Sequence, residues 1–111
     1  MSLSVSTETK DGSVVVHVGG DLDVYTAPQL QEALDQAFAT GGRLVLDLLD
    51  VHFIDSTALG VLVGAHQRSQ SENGELRLVV EDPLVLKIFH ITGFDGVFSI
   101  FPRLADALSA D

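Results

Sequence analysis

The stretch Leu44-Val45-Leu46-Asp47-Leu48-Leu49-Asp50-Val51-His52-Phe53-Ile54-Asp55-Ser56-Thr57-Ala58-Leu59-Gly60 decides the fold class, because its apolar pattern changes period partway along. Leu44 to Leu49 is an almost unbroken apolar run of strand length. Such runs mark a central strand buried on both faces, as in parallel or mixed sheets covered by helices. Val51 to Ile54 leads onward, and from about Ser56 to Gln70 a helix is expected. Asp55, Ser56 and Thr57 stand at the join, and all three residue types cap helix starts.

Working outward, Val5 to Thr9 and Ser13 to Val18 flank Lys10-Asp11-Gly12, whose Asp-Gly pair reads as a hairpin turn between β-branched strands. Thr26-Ala27-Pro28-Gln29 has capping-box spacing, and Leu30, Leu34, Ala37 and Phe38 recur on one helical face. Gly41-Gly42 should end that helix. On the other side, a strand is expected over Leu76 to Val80, and Asp82-Pro83 should start a short helix that runs to about Ile91 and closes at Gly93. Val97 to Phe101 reads as a last strand, and Pro102 opens a terminal helix with Leu104, Ala105 and Leu108 on its apolar side. All three prolines fall at or near expected helix starts. The pattern predicts one α/β domain over residues 1–111, a mixed central sheet with an N-terminal hairpin and about four helices.

Composition narrows the function. A chain of 111 residues, 46% hydrophobic, has the size and apolar content of one folded domain. Its formal net charge of −10, with only six Lys and Arg, argues against direct DNA or RNA binding, which leans on clustered cations. Without cysteine there is no thiolate nucleophile or thiolate metal site. Met1-Ser2-Leu3-Ser4-Val5-Ser6 lacks a basic start followed by an apolar run, and no apolar stretch reaches about 18 residues, so a cytoplasmic chain with no membrane contact is expected. His17, His52, His66 and His90 show no ligand spacing, and no metal or other cofactor is expected. Ser56 lacks the glycines of a Gly-x-Ser-x-Gly elbow, and no Gly-rich loop ends in Lys-Ser or Lys-Thr. No catalytic residue is assigned, and the chain reads as something other than an enzyme.

Several residues keep two readings. The start of a helix offers unpaired N–H groups and the positive end of the helix dipole, so Ser56 and Thr57 are either plain caps or sites where added phosphate meets waiting donors. Asp21 and Asp23 are either turn residues or parts of a site. Asp47 reads as structural, an acid that bonds nearby backbone. Gly60 and Gly64 each cost about 1 kcal/mol relative to Ala inside a helix. Close packing, against the sheet or against a partner helix, would compensate. The helix Leu84-Val85-Leu86-Lys87-Ile88-Phe89 is apolar on more than one side, with burial the default and docking the alternative.

Taken together, Gly20-Asp21-Leu22-Asp23, Leu46-Asp47-Leu48, Phe53-Ile54-Asp55-Ser56-Thr57-Ala58-Leu59-Gly60 and Ile91-Thr92-Gly93-Phe94 resemble the markers of STAS-domain anti-sigma factor antagonists of bacteria, in the same order and across nearly the whole chain. The resemblance implies a partner-switching cycle. The unphosphorylated antagonist binds an anti-sigma factor that is also a serine-protein kinase and thereby frees a sigma factor for transcription. The kinase, with ATP and Mg²⁺, phosphorylates the position matching Ser56, and a metal-dependent serine phosphatase restores it. Thr57 becomes a neighbour and secondary acceptor. Asp21, Asp23, Asp55, Thr57 and Gly60 become residues that support partner binding or phosphorylation, with the Asp21–Asp23 loop near the acceptor and Asp23 orienting Ser56 or the nucleotide's metal.

Three rivals compete. A receiver domain phosphorylated on Asp47 would open with a strand delivering an acidic pair, not a hairpin. An acyl carrier protein also presents Asp-Ser at a helix start, but it is a helical bundle, which the β-branched runs contradict. A STAS module working as an unphosphorylated adaptor in a signalling or transport assembly is opposed by the intact Asp55-Ser56 pair.

Overall fold

Alternating apolar patterns in two neighbouring strands build the sheet. In β2 (Ser13–Leu22) and β3 (Arg43–Ile54), Val14, Val16, Val18, Leu44, Leu46 and Leu48 point to one face, while Val15 and Val45 point to the other. The computed structural model describes residues 3–109. Among them β1 (Ser4–Lys10), β2, β3, β4 (Glu75–Val79) and β5 (Ser99–Phe101) lie side by side in chain order. β1 runs antiparallel to β2, and every later neighbour is parallel. Met1 and Ser2, part of the stretch read for a leader, and the last two residues of the expected 1–111 domain lie outside the described residues.

The hairpin turn is set by Asp11 at φ 52° and Gly12 at φ 78°. Two left-handed residues in a two-residue loop match the twist of the flanking strands, which is why Asp-Gly is favoured there. α1 (Ala27–Thr40), α2 (Ser56–Ser71) and α3 (Pro83–Thr92) then link successive parallel strands. Each crossover steps to the next strand in the same direction, and crossovers share one hand, so all three helices cover the same face. Leu30, Leu34, Ala58, Leu62, Val85 and Phe89 are buried there against the even-numbered positions of β2 and β3. α4 (Leu104–Ser109) covers part of the opposite face, packing Ala107 and Leu108 on Val15, Val45 and Val79. Arg77, buried in β4, donates to the Ala107 carbonyl at 2.7 Å, and Arg43 donates to the Leu108 carbonyl at 3.1 Å. These two cations satisfy carbonyls that a helix end leaves open.

The expected fold class is thus observed: a mixed sheet, an N-terminal hairpin and four α-helices among the described residues. Local details differ. β3 does not stop near Leu49, because its pairing with β2 carries on to Leu22 opposite Ile54. Asp47 is therefore a mid-strand residue, accepting from Leu49 N at 3.0 Å and bonded to His17 Nδ1 at 2.6 Å. That structural role agrees with its reading, and Asp47 is not the strand-end aspartate that a receiver domain would need. The capping box at Thr26 does not form. Thr26 Oγ donates to the Asp21 carbonyl at 2.7 Å, while Gln29 Oε1 accepts from Leu3 N at 3.1 Å. The apolar side of α4 uses Ala107 in place of Ala105, since positions three and four after Leu104 share its face. Val97 falls outside β5, after a short 3₁₀ turn at Phe94–Gly96.

Candidate phosphoacceptor site

Two segments some thirty residues apart in sequence meet at the carboxyl ends of β2 and β3, the edge where open parallel sheets place their sites. Between His17 and Asp21 the β2–β3 register shifts twice, and Gly20 takes φ 112°, a value that glycine adopts without strain. The shifts set Asp21 opposite Phe53 and Leu22 opposite Ile54. The ladder then gains one further bond, from Asp55 N to the Leu22 carbonyl at 2.9 Å. The turn after β2 and the start of α2 are thereby side by side.

α2 begins at Ser56, with Asp55 as its N-cap in extended geometry. Asp55 Oδ1 accepts from Ala58 N at 3.0 Å, as a cap should. Its other oxygen, Oδ2, accepts from Val24 N at 2.9 Å, across the gap to the β2–α1 turn. Ser56 and Thr57 are exposed. The Ser56 hydroxyl therefore stands at the first helical position, beside N–H groups and the positive end of a sixteen-residue helix.

Asp23 spends its Oδ1 inside its own turn, accepting from Tyr25 N at 2.9 Å and Thr26 N at 3.0 Å. Its backbone carbonyl accepts from Thr26 N and Ala27 N. Asp23 is thus the residue that folds the entry to α1, in the turn whose Val24 N bonds to Asp55. Asp21 is exposed at the end of β2, and its carbonyl receives Thr26 Oγ. Of the expected support residues, Asp21, Asp23, Asp55 and Thr57 are gathered at this edge with Ser56.

Gly60 is one turn further along α2. A Cβ built on Gly60 or Gly64 would meet nothing within 4 Å, so packing against the sheet does not compensate for either glycine. Both lie on the solvent side, four and eight positions after Ser56 and hence on the same face of α2.

Sequence reading gave no role to the apolar side chains of Val24 and Tyr25, in the turn bonded to Asp55, or of Phe53, opposite Asp21, which are 53%, 79% and 42% exposed. Their signal was present: an apolar pair between a turn acid and a helix start, off the helical period. Leu84 and Ile91 of α3 are exposed as well, while Val85 and Phe89 are buried, so α3 buries one apolar face and leaves part of another exposed. Among the described residues, no group of three or more His, Cys, Asp or Glu is placed to hold a metal ion. No described helix is long and apolar enough to cross a membrane.

Comparison with known proteins agrees with this geometry. The STAS domain profile matches residues 4–107. The anti-sigma-B factor antagonist of Bacillus subtilis is 33% identical over 100 residues, covering 90% of this chain and 92% of the relative. That of Staphylococcus aureus is 35% identical over 101 residues, covering 90% and 94%. The crystal structure of an anti-sigma factor antagonist from Mycobacterium paratuberculosis superposes with a TM-score of 0.89 at 35% identity, covering 97% of this chain and 92% of that one. The chain belongs to the STAS-domain family of anti-sigma factor antagonists.

Proposed function

We propose that this chain, unphosphorylated, binds an anti-sigma factor that is also a serine kinase, releases a sigma factor, and is switched off when Ser56 is phosphorylated. One observation carries the reading. An exposed serine at the first position of α2 follows a cap that bonds the β2–α1 turn, at the sheet edge that also carries exposed Val24, Tyr25, Phe53, Asp21 and the turn acid Asp23. The open glycine face of α2 extends the same surface and would admit the close approach of a partner's backbone.

The chemistry of the step is simple. Ser56 Oγ forms a bond to the γ-phosphorus of ATP, the bond to the β-bridging oxygen breaks, ADP leaves and the hydroxyl proton passes to a base of the kinase. The product adds a charge of about −1.5 to −2 at neutral pH. Within the chain, the helix terminus offsets part of that charge. At a packed interface the new charge must be desolvated beside Asp55 and Asp23 on a protein of net charge −10. Like charges brought together there cost about several kcal/mol, enough to end binding without refolding the antagonist. A metal-dependent serine phosphatase would reset the cycle.

Intact-mass measurement of wild type and Ser56→Ala from the native host tests the acceptor. One phosphate on the first and none on the second supports Ser56, whereas phosphate retained by Ser56→Ala, on Thr57 or elsewhere, defeats it. Ser56→Asp should keep its fold and bind the kinase at least about tenfold more weakly than Ser56→Ala. Equal binding by the two variants would remove the electrostatic account, and an unmodified chain in every growth condition would favour the adaptor reading.

A further inference from the structure

We infer that Asp55 is a positioning residue of the docking surface, acting on the partner through the Val24–Tyr25 loop and not by touching it. The inference rests on the functional reading above and adds a role for one carboxylate within it.

Capping a helix takes one acceptor oxygen. At α3 the cap Asp82 shows this, since Oδ1 alone accepts from both Leu84 N and Val85 N. At α2 the cap again uses one oxygen, Oδ1 to Ala58 N, and the second reaches a different element, Val24 N. The β2–α1 turn holds its own shape through Asp23 and Thr26, whose side-chain bonds stay within residues 21–27. Beyond the β2–β3 ladder, two bonds tie it to the start of α2, Asp55 N to the Leu22 carbonyl and Val24 N to Asp55 Oδ2. The second holds the backbone of exposed Val24, the neighbour of exposed Tyr25. An ionised carboxylate offers two acceptors, whereas asparagine offers one acceptor and one donor. Asparagine and serine cap helices as well as aspartate does. What aspartate adds at this position is the tie to the loop.

The chemistry supplies its own controls. Asp55→Asn and Asp55→Ser both keep a capping oxygen and lose the second acceptor, so α2 should remain folded in each. In the full chain, the Val24 amide should exchange with solvent about tenfold faster in either variant while amides within α2 keep their protection. Unchanged Val24 exchange in both variants would overturn the tie.

A double-mutant cycle reads the consequence for docking, using as probe the host's own anti-sigma factor kinase that binds the wild-type chain. Asp55→Asn should weaken binding by about tenfold in the wild-type background and by less than about twofold when Val24→Ala and Tyr25→Ala are already present. Additive losses would show that Asp55 meets the partner directly and would overturn the inference. If no host kinase binds the wild-type chain, the functional reading and the docking role fall together, while Val24 exchange still decides whether the tie itself exists.

Discussion

α2 and α3 start in nearly the same way, and the contrast between them separates a plain cap from a candidate switch. Each follows a parallel strand, each is capped by an aspartate in extended geometry, and each cap accepts from the third residue after it. At α3 the first helical residue is Pro83, which carries no hydroxyl, and the cap's second oxygen meets His52 Nδ1 at 2.7 Å. At α2 the first helical residue is Ser56, and the cap's second oxygen reaches the β2–α1 turn. One start is closed off by a ring and a neighbouring imidazole. The other presents a nucleophilic hydroxyl at a junction of two loops. Identical capping physics thus serves stability in one place and carries a candidate switch in the other.

An exchange of the two first positions gives the sharpest test. Ser56→Pro should fold, because proline is tolerated at the first helical position after an extended residue, and it should abolish phosphate uptake entirely. Pro83→Ser, read alongside by intact mass after incubation with the kinase and ATP, should gain no phosphate at residue 83. Phosphate there would mean that an Asp-Ser helix start suffices without the surrounding loop.

Removing the cap at α2 should separate its two bonds by stability, since Asp55, like Asp82 with its His52 contact, joins a cap to one bond between elements. Asp55→Ala should cost about 1 kcal/mol for the cap and about 1 kcal/mol for the bond to Val24 N, whereas Asp55→Asn should lose only the second. Urea unfolding of both variants measures the difference, and no loss in Asp55→Asn would count against the second bond.

The pH responses should be smaller and of opposite sign at two carboxylate–histidine contacts. The hydrogen bond from His52, with those from Val85 N and Leu84 N, holds Asp82 below its ordinary value of 3.8. Its contribution to stability is present above that value and disappears as pH falls through the lower folded one. His17 behaves in reverse. Burial, the largest single influence, opposes its charge, but hydrogen bonds to Glu8 and Asp47 and their negative charges together lift it above 6.5. Both ring nitrogens face carboxylates at 2.6 Å, and only the doubly protonated ring can donate to both. That contribution is complete below 6.5 and is lost as pH rises through the folded value. Melting temperatures of wild type and His17→Gln across pH 5 to about 9 should converge at the alkaline end.

The smallest expected effect concerns Gly60, a helix-interior glycine without counterpart in α3. Gly60→Ala should stabilise the chain by about 0.5–1 kcal/mol, since the added methyl enters open space. Its kinase affinity should nevertheless fall if a partner backbone approaches this face, and unchanged affinity would confine the docking surface to the loops.

Much of the fold was legible because its signals are local. The apolar run from Leu44, the Asp11-Gly12 turn and the Asp82-Pro83 start each act within a few residues, where strand and helix periods, turn angles and caps operate. The capping box at Thr26 failed for the complementary reason. Its hydroxyl and the Gln29 side chain found partners at Asp21 and Leu3 that no local pattern announces.

The sequence by itself determined the α/β class, the helix starts, the candidate acceptor Ser56 and, through family resemblance, the acids that accompany it. Only the tertiary structure decided that β2 and β3 stay paired, through two register shifts, far enough to bring Leu22 to Asp55, that Val24 N meets the cap beside Ser56, and that Gly60 faces solvent. The reason is physical. Periodicity and capping are properties of neighbouring residues, whereas the second oxygen of Asp55 finds its donor only after two parallel strands have paired and set their ends side by side.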